Sequence, residues 1–292
     1  KGYNFGHPKF DLLTKPNVNI FNKEVKEIKK KYKNLVFIPS SFVYDQILDE
    51  YTGDKFEIFS SNIKNQRERN LYINRKFIEK ENYDYFIKLI SKLAENNPNY
   101  NFVFRPHPRQ SIRLIKKRFS KKPKNLHFIY QKTVTPWIIA CKLYIHYGCT
   151  TSLEAAFLKK KIIFFVKNEK AFSGRDLEMF KTMGYSFNNY EKCLFFLNKN
   201  FKKKLSTIKK SKQPVKYIYN NNKSLFWNKF LKLINKKYKK KLINLDYKEI
   251  KKYLKTNKLE YEENYFLSNF KSFLLKNKIS SDILYKIDPS LV

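Results

Sequence analysis

Cysteine and histidine are scarce in this chain, and neither is spaced for metal binding. The three cysteines include no C-x-x-C pair and the four histidines include no H-x-x-x-H pair, which argues against a structural zinc site. An odd number of cysteines without a disulfide framework is typical of the reducing cytoplasm. We therefore expect a cytoplasmic protein without a structural metal.

Long apolar runs are also missing. No run of about 18 apolar residues occurs, so the sequence predicts no transmembrane helix, and no signal peptide is visible. The chain begins at Lys1 rather than at methionine. We therefore expect an N-terminal part of the protein to precede it, which could have carried such a signal.

Acidic residues are few beside the basic ones. The chain has 62 Lys and Arg against 25 Asp and Glu, a formal net charge of +37, and residues 199–258 alone hold 21 lysines and two acids. A surface this basic indicates an anionic partner: nucleic acid, acidic lipid or a charged polymer. Specific nucleic-acid readers favour arginine, but all eight arginines lie at or before Arg175. Base-composition bias of the genome and solubility explain part of this charge. Among the anionic partners we favour the inner face of a membrane and expect no specific nucleic acid.

What the chain does have is an alternation of short apolar runs with helical patterns. Helical spacing predicts helices at 24–32, 67–95, 111–119, 136–141, 151–158, 175–183, 190–197 and 224–234. Apolar runs predict strands at 35–38, 101–105, 126–130, 143–147 and 162–166. Strands that are apolar throughout are buried on both faces. The sequence therefore predicts an α/β fold, a Rossmann-like parallel sheet covered by helices.

The chain divides into three predicted parts. Residues 1–22 lack periodicity and are expected to be a linker from a preceding N-terminal domain. Residues 23–237 carry the alternating strands and helices of the Rossmann-like domain. Residues 238–292 change to short helical patterns only and are expected to form a Lys-rich helical extension.

Polar motifs follow three of the predicted strands. Arg105-Pro106-His107-Pro108 follows the second strand, Gly148-Cys149-Thr150-Thr151-Ser152-Leu153-Glu154 follows the fourth, and Ser40-Ser41 follows the first. Ligands of open α/β sheets bind at the carboxyl ends of strands, and a glycine turn that opens a helix is a favourable phosphate site. The motifs therefore predict a site for a phosphorylated, anionic ligand.

The individual residues have the chemistry that such a site needs. The prolines fix the direction of His107, whose imidazole can donate to a phosphate oxygen while Arg105 adds charge. Thr150, Thr151 and Ser152 supply hydroxyl groups beside Gly148. Glu154 can accept a hydrogen bond from a ribose hydroxyl.

Each motif also has a purely structural interpretation. Thr151 and Glu154 have the spacing of a capping box, which needs no ligand. Ser40 and Ser41 are equally typical of a simple turn, and Trp137 is more typical of a core residue than of a base contact. A nucleophilic pair of Cys149 and His146 is disfavoured because no orienting acid is visible.

The catalytic base is not indicated. Asp45, Asp49, Glu50 and Asp54 offer carboxylates in the loop after the first strand, but their spacing favours none of them. There is no Asp-x-Asp motif to indicate a metal.

Four segments of the sequence resemble the bacterial surface carbohydrate biosynthesis proteins. Gly6-His7-Pro8-Lys9-Phe10-Asp11 resembles their G-x-P-R-F-D segment, with Lys9 in place of arginine. The His-Pro segment, the segment 136–140 and the segment 146–155 resemble three further segments in the same order. The resemblance covers roughly residues 2–237, and the layout is similar to the C-terminal half of GT-B glycosyltransferases, including Kdo and other CMP-sugar transferases.

The resemblance implies the donor half of a two-domain enzyme. His107 and the Thr150–Ser152 group would hold the donor phosphate, Glu154 the ribose, and a preceding domain would bind a lipid-linked or glycan acceptor. The resemblance implies a nucleotide-activated sugar as donor, a CMP-linked acidic sugar above all, with no metal cofactor. Two alternatives stay open: a sugar-nucleotide 2-epimerase or polyol-phosphate transferase of the same architecture, and a non-catalytic basic module that binds nucleic acid.

Overall fold

The computed structural model describes residues 8–14, 17–42, 66–108, 110–119, 122–172 and 174–211. Apart from Gln131–Thr133, these residues belong to one compact unit. The predicted extension 238–292, the predicted helix 224–234 and the carboxylates of Asp45, Asp49, Glu50 and Asp54 lie outside the described residues.

A single parallel sheet of six strands forms the centre of this unit. In chain order the strands are β1 (Leu35–Pro39), β2 (Asn101–Arg105), β3 (Leu126–Phe128), β4 (Leu143–His146), β5 (Ile162–Phe165) and β6 (Tyr185–Phe187). Their order in space is β3-β2-β1-β4-β5-β6, and every neighbouring pair is parallel. This is the strand order of a Rossmann-type sheet, so the predicted fold class is confirmed.

Five of the six strands coincide with the predicted apolar runs. All residues of β1, β4 and β5 are buried, as expected for central strands covered on both faces. The sixth strand, β6, was missed. It is three residues long and only partly buried throughout, so it gives no continuous apolar signal.

Within the described residues, seven α-helices cover the sheet or connect its strands. They are α1 (Asn22–Lys31), α2 (Gln66–Asn96), α3 (Ile112–Arg118), α4 (Val134–Ala140), α5 (Ser152–Phe157), α6 (Gly174–Thr182) and α7 (Tyr190–Lys202). All seven lie where helical spacing predicted a helix. Helix α4 begins at Val134, before the predicted first residue Pro136; the first turn tolerates proline because its N–H groups have no partner within the helix.

In the described ranges, no helix combines the length and apolar character that crossing a membrane requires.

Stacked aromatic rings fix the segment after β1 against the sheet. The Phe42 ring lies between Tyr147, at 4.0 Å between centroids, and Tyr83, at 4.4 Å. Trp137 is buried and stacks on Phe37. The interpretation of Trp137 as a core residue is therefore confirmed.

Part of the segment predicted to be a linker packs onto the sheet domain. Two short 3-10 helices, Pro8–Leu13 and Asn17–Phe21, precede α1. Phe10 and Leu13 are buried against side chains of α5 and the residue after it. The chain just before α1 therefore has a defined position.

Candidate functional site

The strand order reverses between β1 and β4. From β1 the sheet continues through β2 and β3 on one side and through β4, β5 and β6 on the other. In sheets of this kind the crevice at the carboxyl ends of the two strands that flank the reversal is the usual ligand site. Ser40 and Ser41 follow β1 there, and the turn from Gly148 to Ser152 follows β4.

Hydrogen bonds join the ends of β1, β2 and β4. The Ser40 N–H donates to the Arg105 carbonyl at 2.8 Å, and the Ser41 hydroxyl donates to the Tyr147 carbonyl. The structure therefore brings the three predicted motifs to one edge of the sheet.

Gln110 holds the loop after β2 in place, and the sequence analysis did not single it out. Its side-chain amide donates to the Phe42 carbonyl at 2.8 Å and accepts from the His107 N–H at 2.9 Å. The available signal was its place in the sequence, three residues after His107. The backbone at His107 is thus fixed relative to the segment after β1.

Arg105 is the cation at this edge. Its guanidinium lies 5.2 Å from the ring centroid of Tyr130, a cation–π contact that orients it. Burial lowers the pKa of Arg105, but an arginine starts so high that the group stays charged at neutral pH. Tyr130 is itself 46% exposed, so the pair presents a flat aromatic and cationic surface.

Gly148 is required by the turn after β4. Its φ is +59°, in the left-handed region that favours glycine. A Cβ built there would lie 2.2 Å from the Phe172 ring. The turn therefore depends on a glycine for its conformation and for its packing.

The three hydroxyl groups of this turn are in different situations. Thr150 is exposed, whereas the Thr151 hydroxyl shares hydrogen bonds with the Tyr144 hydroxyl at 2.7 Å and with the Cys149 sulfur at 3.0 Å. The Ser152 hydroxyl is buried without a hydrogen-bond partner. The turn thus has one exposed hydroxyl, on Thr150, and one buried hydroxyl, on Ser152, that lacks a partner among the described residues.

The start of α5 differs from the predicted phosphate cradle. The helix has only six residues, and the Ser152 and Leu153 N–H groups already donate within the turn, each at 3.0 Å. Hydroxyl groups, rather than those two N–H groups, are the donors available here. The capping-box interpretation is wrong, because the Thr151 side chain makes no capping hydrogen bond.

Glu154 is buried and engaged on both oxygens. Its Oε1 lies 2.9 Å from the Lys9 ammonium, and its Oε2 accepts from the Thr135 hydroxyl at 2.9 Å. The carboxylate therefore faces two other segments of the chain, and the ribose contact stays a prediction. Lys9 and Thr135 were missed as its partners, since they are far from it in the sequence.

In the part of the chain that the structure describes, three polar side chains at the ends of β1 and β4 are buried without a partner. They are Ser40 and Ser152, through their hydroxyl groups, and His146, through both ring nitrogens. Buried polar groups are normally satisfied, so each of these calls for an explanation such as a ligand or an ordered water.

His146 lies among aromatic rings. The centroids of Tyr144, Phe164 and Phe180 are 5.2–5.6 Å from its own. Burial lowers the pKa of His146 to about 3, so the imidazole is neutral. It makes no hydrogen bond to Cys149, whose own pKa is raised by burial, so no nucleophilic pair forms.

Within the described residues, no three His, Cys, Asp or Glu side chains cluster in a way that could hold a metal ion. The carboxylates of the loop after β1 lie outside those residues.

Comparisons with known proteins give distant likenesses. No protein-family model matches the chain, and no curated protein matches it. A variant of the wall teichoic acid polymerase TagF is similar over 81% of this chain and 52% of its own, with 13% identity and a TM-score of 0.41. KpsC of Thermosulfurimonas dismutans, a β-Kdo 2,4 transferase, is similar over 52% of this chain and 46% of its own, with 12% identity and a TM-score of 0.28. The chain thus spans about half the length of either structure, and likenesses this loose assign no function.

Proposed function

We propose that this domain binds the phosphate of a nucleotide-activated sugar at the carboxyl ends of β1, β2 and β4. One observation carries the proposal. The polar motifs meet where the strand order reverses, and two buried hydroxyl groups there, those of Ser40 and Ser152, have no partner among the described residues. A phosphate oxygen accepts hydrogen bonds from such groups.

We propose further that the domain is the donor half of a glycosyltransferase. When the bond from the sugar to the phosphate oxygen breaks, negative charge develops on the departing nucleotide phosphate. Arg105, His107 and the hydroxyl groups of the turn are the chain's own means of stabilising that charge. The resemblance of the surrounding sequence segments to surface carbohydrate enzymes supports this class of reaction.

The proposed donor is a CMP-linked acidic sugar used in surface polysaccharide synthesis. Support comes from the His-Pro segment, whose resemblance is to CMP-sugar transferases. A donor with both a phosphate and a sugar carboxylate also suits a chain with a net charge of +37. The acceptor would be a lipid-linked or other glycan.

A calorimetric titration with CMP, UDP, CDP and GDP tests the proposal. We expect the chain to bind CMP in preference to the other three and His107→Ala to lose that binding. His127→Ala is the matched control. The His127 ring forms a hydrogen bond of 3.0 Å with Asn101, the first residue of β2, so it lies away from the carboxyl ends of the strands. Absence of binding to all four nucleotides, or equal loss in both variants, would contradict the proposal.

We also propose that the Lys-rich stretch 199–258 holds the protein at an anionic membrane surface. Lysine attracts acidic lipid at low salt, and the attraction is screened as salt rises. Sedimentation with vesicles that contain phosphatidylglycerol should capture the protein in 50 mM salt, and vesicles of phosphatidylcholine alone should not. Binding that depends on neither lipid charge nor salt would rule the idea out.

A further inference from the structure

We infer that Lys9, Glu154 and Thr135 form a positioning device, here called the Glu154 node, which sets the turn that the proposed donor site uses. The inference rests on the proposed function for its link to nucleotide binding. It assigns Glu154 a role through its neighbours in place of a contact with the ligand.

The node joins three segments that are separate in the sequence. Lys9 belongs to the 3-10 helix Pro8–Leu13, Thr135 to α4 and Glu154 to α5. Ammonium and hydroxyl each lie 2.9 Å from a different oxygen of the carboxylate. The Glu154 side chain is only 4% exposed, against 31% for Lys9, so the pair is largely shielded from solvent and from screening by salt.

Apolar contacts hold the same segment against the same helix. The Phe10 ring lies 5.5 Å from the Phe157 ring, and Leu13 is buried beside it. The Asp11 carbonyl accepts from Asn17 at 2.8 Å and from the Thr14 hydroxyl at 2.7 Å, which closes the segment on itself. The segment Pro8–Leu13 therefore packs against α5 as an ordered unit.

Helix α5 needs this support. A helix of six residues is unstable alone, so its position is set by tertiary contacts. Ser152 and Glu154 lie within one turn of it, so a shift of the Glu154 carboxylate moves the Ser152 hydroxyl as well. Breaking the ion pair should therefore disturb the turn through α5.

Two measurements test the role on the full chain. The first is the affinity for CMP and for 2′,3′-dideoxy-CMP, which lacks the ribose hydroxyls. The second needs no nucleotide: it is the rate at which an aromatic disulfide reagent labels Cys149. Cys149 lies in the turn and is half-buried, whereas the other two cysteines are buried. Cys149→Ser identifies the labelled thiol.

Lys9→Met should lower the affinity for both nucleotides about tenfold, a size typical of the coupling between residues in contact. It should also raise the labelling rate of Cys149 severalfold. Lys9→Arg restores the charge and should return both values to those of the wild type. Lys9→Met combined with Glu154→Gln removes the unpaired charge and should recover part of the loss. Phe10→Ala is the control for a general loss of stability. Compared under conditions where both variants have the same free energy of unfolding, it should raise the labelling rate less than Lys9→Met does.

Three results would overturn the inference. Lys9→Met could lower thermal stability while affinity and labelling rate stay unchanged. Phe10→Ala could raise the labelling rate as much as Lys9→Met. Glu154→Gln could weaken CMP but not the dideoxy analogue, which would make Glu154 a ribose ligand. A wild-type chain that binds neither nucleotide would instead contradict the proposed function, and the labelling rates would still decide the role of the node.

Discussion

Glu154 and His146 belong to the same strand–turn–helix unit and are both almost completely buried, yet their surroundings are opposite. The Glu154 carboxylate has an ammonium group and a hydroxyl group at 2.9 Å. The His146 imidazole has aromatic rings around it and no hydrogen-bond partner for either nitrogen. Burial alone therefore does not say what a polar side chain does; its partners do.

The difference has consequences for stability. A paired buried charge becomes costly when one partner is removed, because the other is left buried and unsatisfied. An unpaired buried group already carries that penalty in the folded protein, so an apolar replacement of similar shape is nearly neutral or stabilising. Four predictions separate the two cases, from the largest expected effect to the smallest.

Acid should destabilise the protein through His146. Its pKa is about 3 in the folded protein and near 6.5 in the unfolded chain. Between these values the unfolded chain binds more protons, so this contribution is complete above about pH 6.5 and is lost as the pH falls towards 3. The slope should reach about 1.4 kcal/mol per pH unit, or roughly 5 kcal/mol between the two pKa values. Urea unfolding from pH 7.5 to 4 measures it.

His146→Phe should flatten that dependence while leaving the other titrating groups in place. His127→Gln is the comparison: burial also lowers the pKa of His127, but its ring is only partly buried and has Asn101 as a partner, so it should flatten the dependence less. If wild type and His146→Phe lost stability in parallel between pH 6.5 and 4, the imidazole would have a partner in solution and the contrast with Glu154 would disappear.

Lys9→Met should lower the free energy of unfolding at neutral pH by about 3 kcal/mol, because it leaves the Glu154 carboxylate buried beside a single hydroxyl donor. Lys9→Arg should stay within about 1 kcal/mol of the wild type, since the guanidinium keeps the charge. Equilibrium urea unfolding gives both values. A loss under about 0.5 kcal/mol, the size typical of an exposed ion pair, would show that Glu154 does not depend on Lys9.

The sequence predicted the sheet well because its signals are local. Continuous apolar runs marked β1 to β5, and polar residues at the ends of three of them placed the candidate site. Parallel strands bring their carboxyl ends to one edge, so residues from separate motifs could be grouped before any contact was known. The short, partly buried β6 lacks that signal.

The hydrogen-bond partners of the side chains could not be predicted from the sequence, because they depend on tertiary packing. Nothing in the local sequence links Lys9 or Thr135 to Glu154, so neither contact could be predicted. The capping-box spacing of Thr151 and Glu154 was also misleading, because the Thr151 hydroxyl turns to Tyr144 and Cys149 instead. Hydrophobic periodicity and residue spacing identify helices and strands. Hydrogen bonds between those helices and strands can be seen only in the folded structure.

Thr135→Val should cost about 1.5–2 kcal/mol, because it removes one hydrogen bond to a charged acceptor and keeps the shape of the side chain. Thr150→Val is the control, since Thr150 is exposed and its hydroxyl is solvated in both states. Thermal unfolding of the two variants should therefore show a lower midpoint for the first alone. Equal midpoints would mean that the Lys9 ammonium by itself satisfies the Glu154 carboxylate.

Ser152→Ala should have the smallest effect on the ligand-free protein, within about 0.5 kcal/mol, because the buried hydroxyl has no partner to lose. If that hydroxyl donates to the donor phosphate, the same substitution should weaken nucleotide binding about threefold to tenfold, the value of one hydrogen bond. Parallel urea unfolding and calorimetric titration give the two numbers. A large loss of stability would reveal a partner for Ser152 inside the protein. Unchanged stability with unchanged affinity would leave its hydroxyl outside the site and remove one of the two groups on which the proposed function depends.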